Sequence, residues 1–248
     1  MNEKLNNEQI NYFENKFRTE QEPWNYSHKA VELLRYEFIL NLIRTLKPDC
    51  NNILEVGCAL GEFTKKLNGA AKNIFSFDIS PTAVKKTRAR CSFLSNSKQE
   101  IISNKSRYFF CTTSATEFPF QQNVFEVVLL CDGIIGWEIS KEQRAEVLVQ
   151  AFQSITYNGF VILTYYLHPK KFDEHINEIK TSPLKIKKVI YLNDRLAYRF
   201  ETWFKGFGST KVIKKLIASK RFVRLLMKVS SLSGKSGSKH VCIIAAKK

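Results

Sequence analysis

Asn52-Ile53-Leu54-Glu55-Val56-Gly57-Cys58-Ala59-Leu60-Gly61 is a short apolar run that breaks into a glycine-bearing turn. It reads as a buried strand and a turn, with a helix expected to begin near Glu62. A second apolar run, Asn73-Ile74-Phe75-Ser76-Phe77, ends in Asp78, seventeen residues after Gly61. Ser80-Pro81 then opens another helix, proline losing nothing at the first helical position. A strand that turns into a helix presents backbone N–H groups and the positive end of the helix dipole to whatever lies above it. A carboxylate at the end of the next strand is placed to accept both hydroxyls of a ribose. The two features describe a nucleoside-binding crevice at the carboxyl ends of neighbouring strands.

Outward from this point the same alternation continues. Arg107 to Cys111, Val124 to Leu130 and Phe160 to Tyr166 read as strands three to five, and Val241 to Ala245 as a last strand. Ser140-x-x-Gln143 is a capping box for a helix expected to run to about Thr156 and to stop at Asn158-Gly159. Strands alternating with helices call for an α/β, doubly wound, mostly parallel sheet. Upstream, residues 1–48 are helical and amphipathic, broken at Pro23-Trp24, with a second helix from about His28 to Leu46 stopped by Pro48. They are expected to form a helical cap on a domain spanning 49–248.

The chain has 248 residues, 44% hydrophobic and 25% charged, enough for an ordinary core. Its 39 Lys and Arg against 23 Asp and Glu give +16, but every acid lies at or before Glu201. Twelve basic residues follow Thr202, leaving only +4 over the first 201 residues. The six cysteines show no C-x-x-C spacing and no grouping with histidine, so no zinc site or disulfide frame is signalled. The N-terminus has no apolar signal-peptide core and no stretch is apolar enough to span a bilayer, and a cytoplasmic protein is expected.

The turn itself discriminates between nucleoside cofactors. A dinucleotide site wants G-x-G-x-x-G, and this chain offers Gly57, Ala59 and Glu62 at those places, which disfavours NAD and FAD. S-adenosylmethionine carries no phosphate, so a methyl group at Ala59 is a smaller insult, and its ammonium gives Glu55 a charge to balance. The segment from Glu55 to Leu67 resembles the first motif of class I S-adenosylmethionine-dependent methyltransferases. More narrowly it is similar to the nodulation protein S family of chitooligosaccharide N-methyltransferases, because Glu22-Pro23-Trp24 and Glu32-x-x-Arg35 resemble that family's segment before the first strand. The resemblance runs from roughly Tyr12 to Tyr166.

The resemblance implies a Rossmann-like, seven-stranded sheet with the last strand antiparallel, and S-adenosyl-L-methionine as cofactor with no metal. It places Asp78 and Ile79 at the ribose and Ser114-Ala115 by the adenine, where the family usually has Asp in place of Ser114. Trp24 and Arg35 are expected either to cover the cofactor and reach its carboxylate or to clamp the N-terminal helices to the core, with Gly57, Cys58, Ala59 and Gly61 in the cofactor turn. At the end of strand four, Cys131-Asp132 fits the family's small-residue-then-acid pattern.

Methyl transfer from a sulfonium is a direct displacement, accelerated mainly by in-line positioning. One polar group must still take the acceptor's proton, and the candidates are Asp132, His168 and Tyr166. The acceptor is expected to be a small polar metabolite methylated on N or O. An RNA methyltransferase is less favoured, since Cys131-Asp132-Gly133-Ile134 is not an Asn/Asp-Pro-Pro-Tyr motif and no Pro-Cys nucleophile occurs. Lys211 to Lys228 reads as one basic amphipathic helix within a late insert at about 205–238. It is expected to act as a lid over the acceptor, and contact with nucleic acid or an anionic membrane through 205–228, or a non-catalytic role as a cofactor-binding protein, are the alternatives. Ser230 to Ser238 reads as a flexible loop.

Overall fold

The computed structural model describes residues 2–24, 26–96, 105–134, 139–205 and 211–248. The chain runs α1 (Asn2–Thr19), α2 (Ala30–Leu46), β1 (Asn52–Val56), β2 (Asn73–Asp78), α3 (Pro81–Asn96), β3 (Arg107–Thr112), β4 (Phe125–Cys131) and α4 (Lys141–Ser154). It continues through β5 (Ile155–Tyr166), α5 (Phe172–Thr181), β6 (Leu184–Tyr191), α6 (Arg195–Lys205), α7 (Lys211–Ile217), α8 (Lys220–Ser231) and β7 (His240–Lys247). The strands form one seven-stranded sheet in the order β3-β2-β1-β4-β5-β7-β6. Strands β1 to β5 pair in parallel, and β7 runs antiparallel to both β5 and β6.

The continuous apolar runs follow from burial on both faces. Along β4, Val128 and Leu130 point into a core shared with Val147, Leu148 and Ala151 of α4 and Phe172, Ile176 and Ile179 of α5. Val127 and Leu129 point the other way, into a core with Tyr36, Ile39, Leu40 and Ile43 of α2. The Ser140 capping box forms as read, Ser140 Oγ accepting from the Gln143 N–H at 3.2 Å and Gln143 Oε1 from the Ser140 N–H at 3.0 Å.

Four local expectations are corrected. After the Gly57–Gly61 turn there is no α-helix, only a 3-10 turn at Thr64–Leu67, because Glu55 draws the Thr64 hydroxyl inward and a bridge between Asn68 and Ala71 follows at once. Asn158-Gly159 lies inside β5, not at the end of α4: the helix stops at Ser154, Ile155 already pairs with Phe125, and the two residues sit in a register shift before Phe160 meets Val127. The single basic helix is two, divided where Ser219 caps α8 by accepting the Phe222 N–H. The Ser230–Ser238 stretch is not one loop: Ser230 and Ser231 end α8, a 3-10 turn spans Gly234–Gly237, and the buried Ser230 hydroxyl donates to the Gly237 carbonyl at 2.6 Å. Strand β6, between β5 and the basic helices, carried no apolar run to announce it, since Lys185, Lys187 and Lys188 make it read as a charged segment.

Candidate functional site

Strands β1, β2, β4, β5 and β7 end around a cavity of about 660 Å³, closed by α1, α2 and α6. One side is built by the turn after β1. Gly57 and Gly61 both have φ of +78°. A Cβ on Gly57 would lie 2.5 Å from Ile134 Cδ1, and one on Gly61 3.1 Å from the Thr87 Cα. Ala59 between them also has positive φ, +46°, and so does Asp132 across the cavity, +49°. Non-glycine residues hold such conformations where surrounding structure imposes them. Here Ala59 is clamped by its N–H, donated to Asp78 Oδ2 at 2.9 Å, and by its carbonyl, which accepts from the Thr87 hydroxyl at 2.9 Å.

Two buried carboxylates face this turn. Burial pushes Asp78 up to about 6 despite the N–H groups of Ser80 and Ala59 that it accepts. Burial likewise pushes Glu55 up to about 7, against hydrogen bonds from Thr64 at 2.6 Å and Ser76 at 2.8 Å. Both of those bonds fall on Oε2, and Glu55 is among the residues that line the cavity. Over the turn lies an aromatic roof: Phe17, Leu60 and Ala83 form a buried cluster with Phe13, Trp24 and Ala59 against it, and Trp24 stacks on Tyr26 at 5.7 Å. Helix α1 is pinned there by Glu14, which accepts from Ser80 and Thr82 at the start of α3. The Glu22-Pro23-Trp24 turn is fixed by Glu22, which accepts the Ser27 N–H at 2.6 Å and its hydroxyl at 2.8 Å.

On the other side, beyond β1 in sheet order, the wall is charged. Arg35, buried on α2, donates from Nε and Nη2 to Glu32 at 2.9 and 2.8 Å. Its Nη1 stands 2.7 Å from Asp132 Oδ2, an ion-pair distance at an angle that makes no hydrogen bond. Asp132 Oδ1 accepts from Thr164 at 2.9 Å and faces His240 Nε2 at 3.7 Å. Behind His240, Asp194 holds Nδ1 at 2.5 Å and also accepts the His240 and Lys239 N–H groups. Burial opposes a charge on His240, but Asp194 and then Asp132 outweigh it and raise its pKa above the ordinary imidazole value. Glu32 also accepts from the Tyr198 hydroxyl, and Lys29 pairs with Glu201 at 3.2 Å.

Of the residues singled out from sequence, Trp24, Arg35, Glu55, Gly57, Cys58, Ala59, Asp78, Ile79, Ser114, Ala115, Cys131, Asp132 and Tyr166 line the cavity. Gly61 sits behind the wall, against Thr87. Ser114 keeps its hydroxyl for Thr116 in its own turn. His168 lies outside the cavity lining, exposed, with its ring accepting the Lys170 N–H at 3.3 Å. Among the described residues, α7 and α8 contribute nothing to the wall; of the apolar stripe expected to close over the acceptor, Val223, Leu226 and Met227 pack with α2 and α6, while Val212 is exposed. The sequence singles out neither His240 nor Glu201, and marks Glu32 only as part of the Glu32-x-x-Arg35 motif. His240 opens a strand far from every motif, and only the pairing of β7 beside β5 brings it to Asp132. Glu32 carried a signal in its i, i+3 spacing from Arg35.

The sheet order, the turn and the carboxylate after β2 together define the Rossmann-like fold of class I methyltransferases. Within that class, the family model for Nodulation protein S (NodS) matches residues 6–115. Nodulation protein S of Sinorhizobium fredii is 39% identical over 70 residues, 28% of this chain and 32% of the relative. The chain thus spans about a third of the length of the curated relatives it matches. Among solved structures, the N-methyltransferase NodS from Bradyrhizobium japonicum WM9, in complex with S-adenosyl-L-homocysteine, superposes with a TM-score of 0.60 at 16% identity, covering 72% of this chain and 89% of that one. The [4+2]-cyclase SpnF shares the fold at a TM-score of 0.58 and 12% identity, covering 84% and 80%, so the fold by itself does not set the reaction.

Proposed function

We propose that this protein transfers a methyl group from S-adenosyl-L-methionine to the nitrogen of a small polar amine. The observation that carries the reading is one cavity with two chemically different ends. At the first, Asp78 and Glu55 flank a turn too crowded at Ala59 for a pyrophosphate, which fits an adenosine ribose and a methionyl ammonium. At the second, the carboxylates of Glu32, Asp132 and Glu201 stand among Lys29, Arg35 and His240, with Tyr166 beside them. The similarity to NodS over residues 6–115, which includes the turn and Asp78, supports the cofactor assignment.

When bound, the cofactor supplies a sulfonium methyl for direct displacement. The chain's own part is to hold an amine in line with it, to keep water out beneath the Trp24 roof, and to accept a proton. Carboxylates in that wall attract an ammonium acceptor and stabilise the positive charge that returns to nitrogen as the new bond forms. Asp132 stands nearest the crevice, and His240, oriented through Nδ1 by Asp194, offers Nε2 on the same side. Proton acceptance is assigned to this pair and not to His168. The helical segment 1–48 acts as a cap whose α1 and Trp24 cover the cofactor.

Calorimetric titration with S-adenosylhomocysteine and transfer of labelled methyl to matched amino and hydroxy sugars test the reading. Binding with N-methyl products is the expected result. Absence of binding removes the cofactor assignment, and exclusive O-methylation removes the amine.

A further inference from the structure

Helix α8 is apolar on two opposite sides. Its inner side, Val223 with Leu226 and Met227, packs with Ala30, Val31 and Leu34 of α2 and Ala197 and Tyr198 of α6. Its outer side carries Leu225, Val229 and Leu232, spaced by four and three residues and therefore on one face. They are 58%, 47% and 88% exposed. Leaving three aliphatic side chains in water along about two turns, the last at the C-cap, is costly unless something covers them.

One flank of that face on α8 is basic. Arg221 and Lys228 border the stripe, and α7, packed against α8, adds exposed Val212 among Lys211, Lys214 and Lys215. Lys220 and Arg224 pair with Glu37, but among the described residues none of Lys211, Lys214, Lys215, Arg221 and Lys228 has an acidic partner. No acid follows Glu201 in the chain, so this charge has no internal counterpart. Neither helix lines the cavity, so the face is not part of the active site.

We infer that the outer face of α7 and α8 rests on an anionic lipid surface. Basic residues alongside an aliphatic stripe match a leaflet that offers anionic headgroups above an apolar interior. A single-stranded nucleic acid would match the charge but not the stripe, because Leu and Val give its bases no stacking platform. Contact would be in the plane of the interface, since no helix among the described residues is long and apolar enough to cross a membrane.

The test is co-sedimentation of the full chain with phosphatidylcholine vesicles, with and without about one-third phosphatidylglycerol. Binding only to the anionic vesicles, weakening as salt rises, is expected. Each basic residue near such a surface contributes roughly five-fold in partitioning, so Arg221→Glu with Lys228→Glu should weaken it at least about tenfold. Leu225→Ser with Val229→Ser should weaken it as well, with an unchanged melting curve because both side chains are exposed. The inference is overturned if anionic vesicles are not bound at low salt, or if the two serines leave vesicle binding intact. It is also overturned if poly(U) RNA competes fully for the face, or if the serines instead abolish a concentration-dependent dimer.

Discussion

Replacing Glu55 by Gln should move stability and cofactor affinity in opposite directions. In the fold the Glu55 carboxyl titrates at about 7, against an ordinary 4.5, because burial penalises its charge more than Thr64 and Ser76 stabilise it. Between those two values the unfolded chain has released the proton and the folded chain has kept it. Stability therefore falls as pH rises through this window and is flat above it. At 1.36 kcal/mol per pH unit the loss above pH 7 amounts to about 3 kcal/mol. Gln keeps an oxygen for Thr64 and Ser76 and has no charge to bury, so the variant should be up to about 3 kcal/mol more stable than the parent at pH 8 and nearly equal to it at pH 5. The same change removes the partner of a bound ammonium, a charged hydrogen bond of about 1.5–3 kcal/mol, so S-adenosylhomocysteine should bind roughly ten- to a hundred-fold more weakly at pH 8. Urea denaturation at the two pH values measures the first effect and calorimetry the second. A Gln variant with the parent's pH slope would show that Glu55 is not the buried titrating group, and unchanged affinity would remove it from the cofactor site.

Asp78→Ala should cost S-adenosylhomocysteine about ten- to a hundred-fold in affinity, and in the parent the affinity should fall as pH drops below about 6, where this carboxylate takes up its proton; calorimetry across pH 5 to 8 reads both, and a flat profile sinks the ribose assignment. Asp194→Asn should destabilise the fold by about 1.5–3 kcal/mol at pH 5.5 and by less at pH 9. The sign follows from His240: its raised pKa contributes stability that is complete below the unfolded imidazole value and is lost as pH rises through the folded one. Equal losses at the two pH values by urea denaturation would show His240 uncharged at both. Gly61→Ala places a Cβ 3.1 Å from the Thr87 backbone at a positive φ and should lower stability by about 1–3 kcal/mol, seen as a depressed melting temperature; an unchanged midpoint would mean that the turn relaxes freely.

The cofactor side was legible in the sequence because its parts are local. Glu55, Gly57 and Gly61 are separated by a few residues, and Asp78 by one strand, so spacing alone carries their geometry. The acceptor side was not, because it depends on pairings across the sheet: His240 meets Asp132 only once β7 lies beside β5, and Asp194 reaches His240 from the far end of β6. Strand β6 escaped notice for an allied reason. It is an edge strand whose lysines face outward, and an edge needs such charges to avoid pairing with other chains, which erases the apolar run that marks an inner strand. The absent helix after Gly61 shows propensity overridden by a tertiary contact, since Thr64 is held by Glu55 and not by a helical ladder.

The position of β7 also sets an order of assembly. Strand β6 has one neighbour in the sheet, and that neighbour is β7. Strand β6 therefore cannot join the sheet until residues 240–247 lie beside β5, while α6 and α8 pack on α2 without them. The five parallel strands can close early through their own crossovers, whereas the two last strands must arrive together. The wall that holds Arg35 and Asp132 is thus completed at His240 by the last strand, whereas the turn after β1 and Asp78 belong to strands that pair without it.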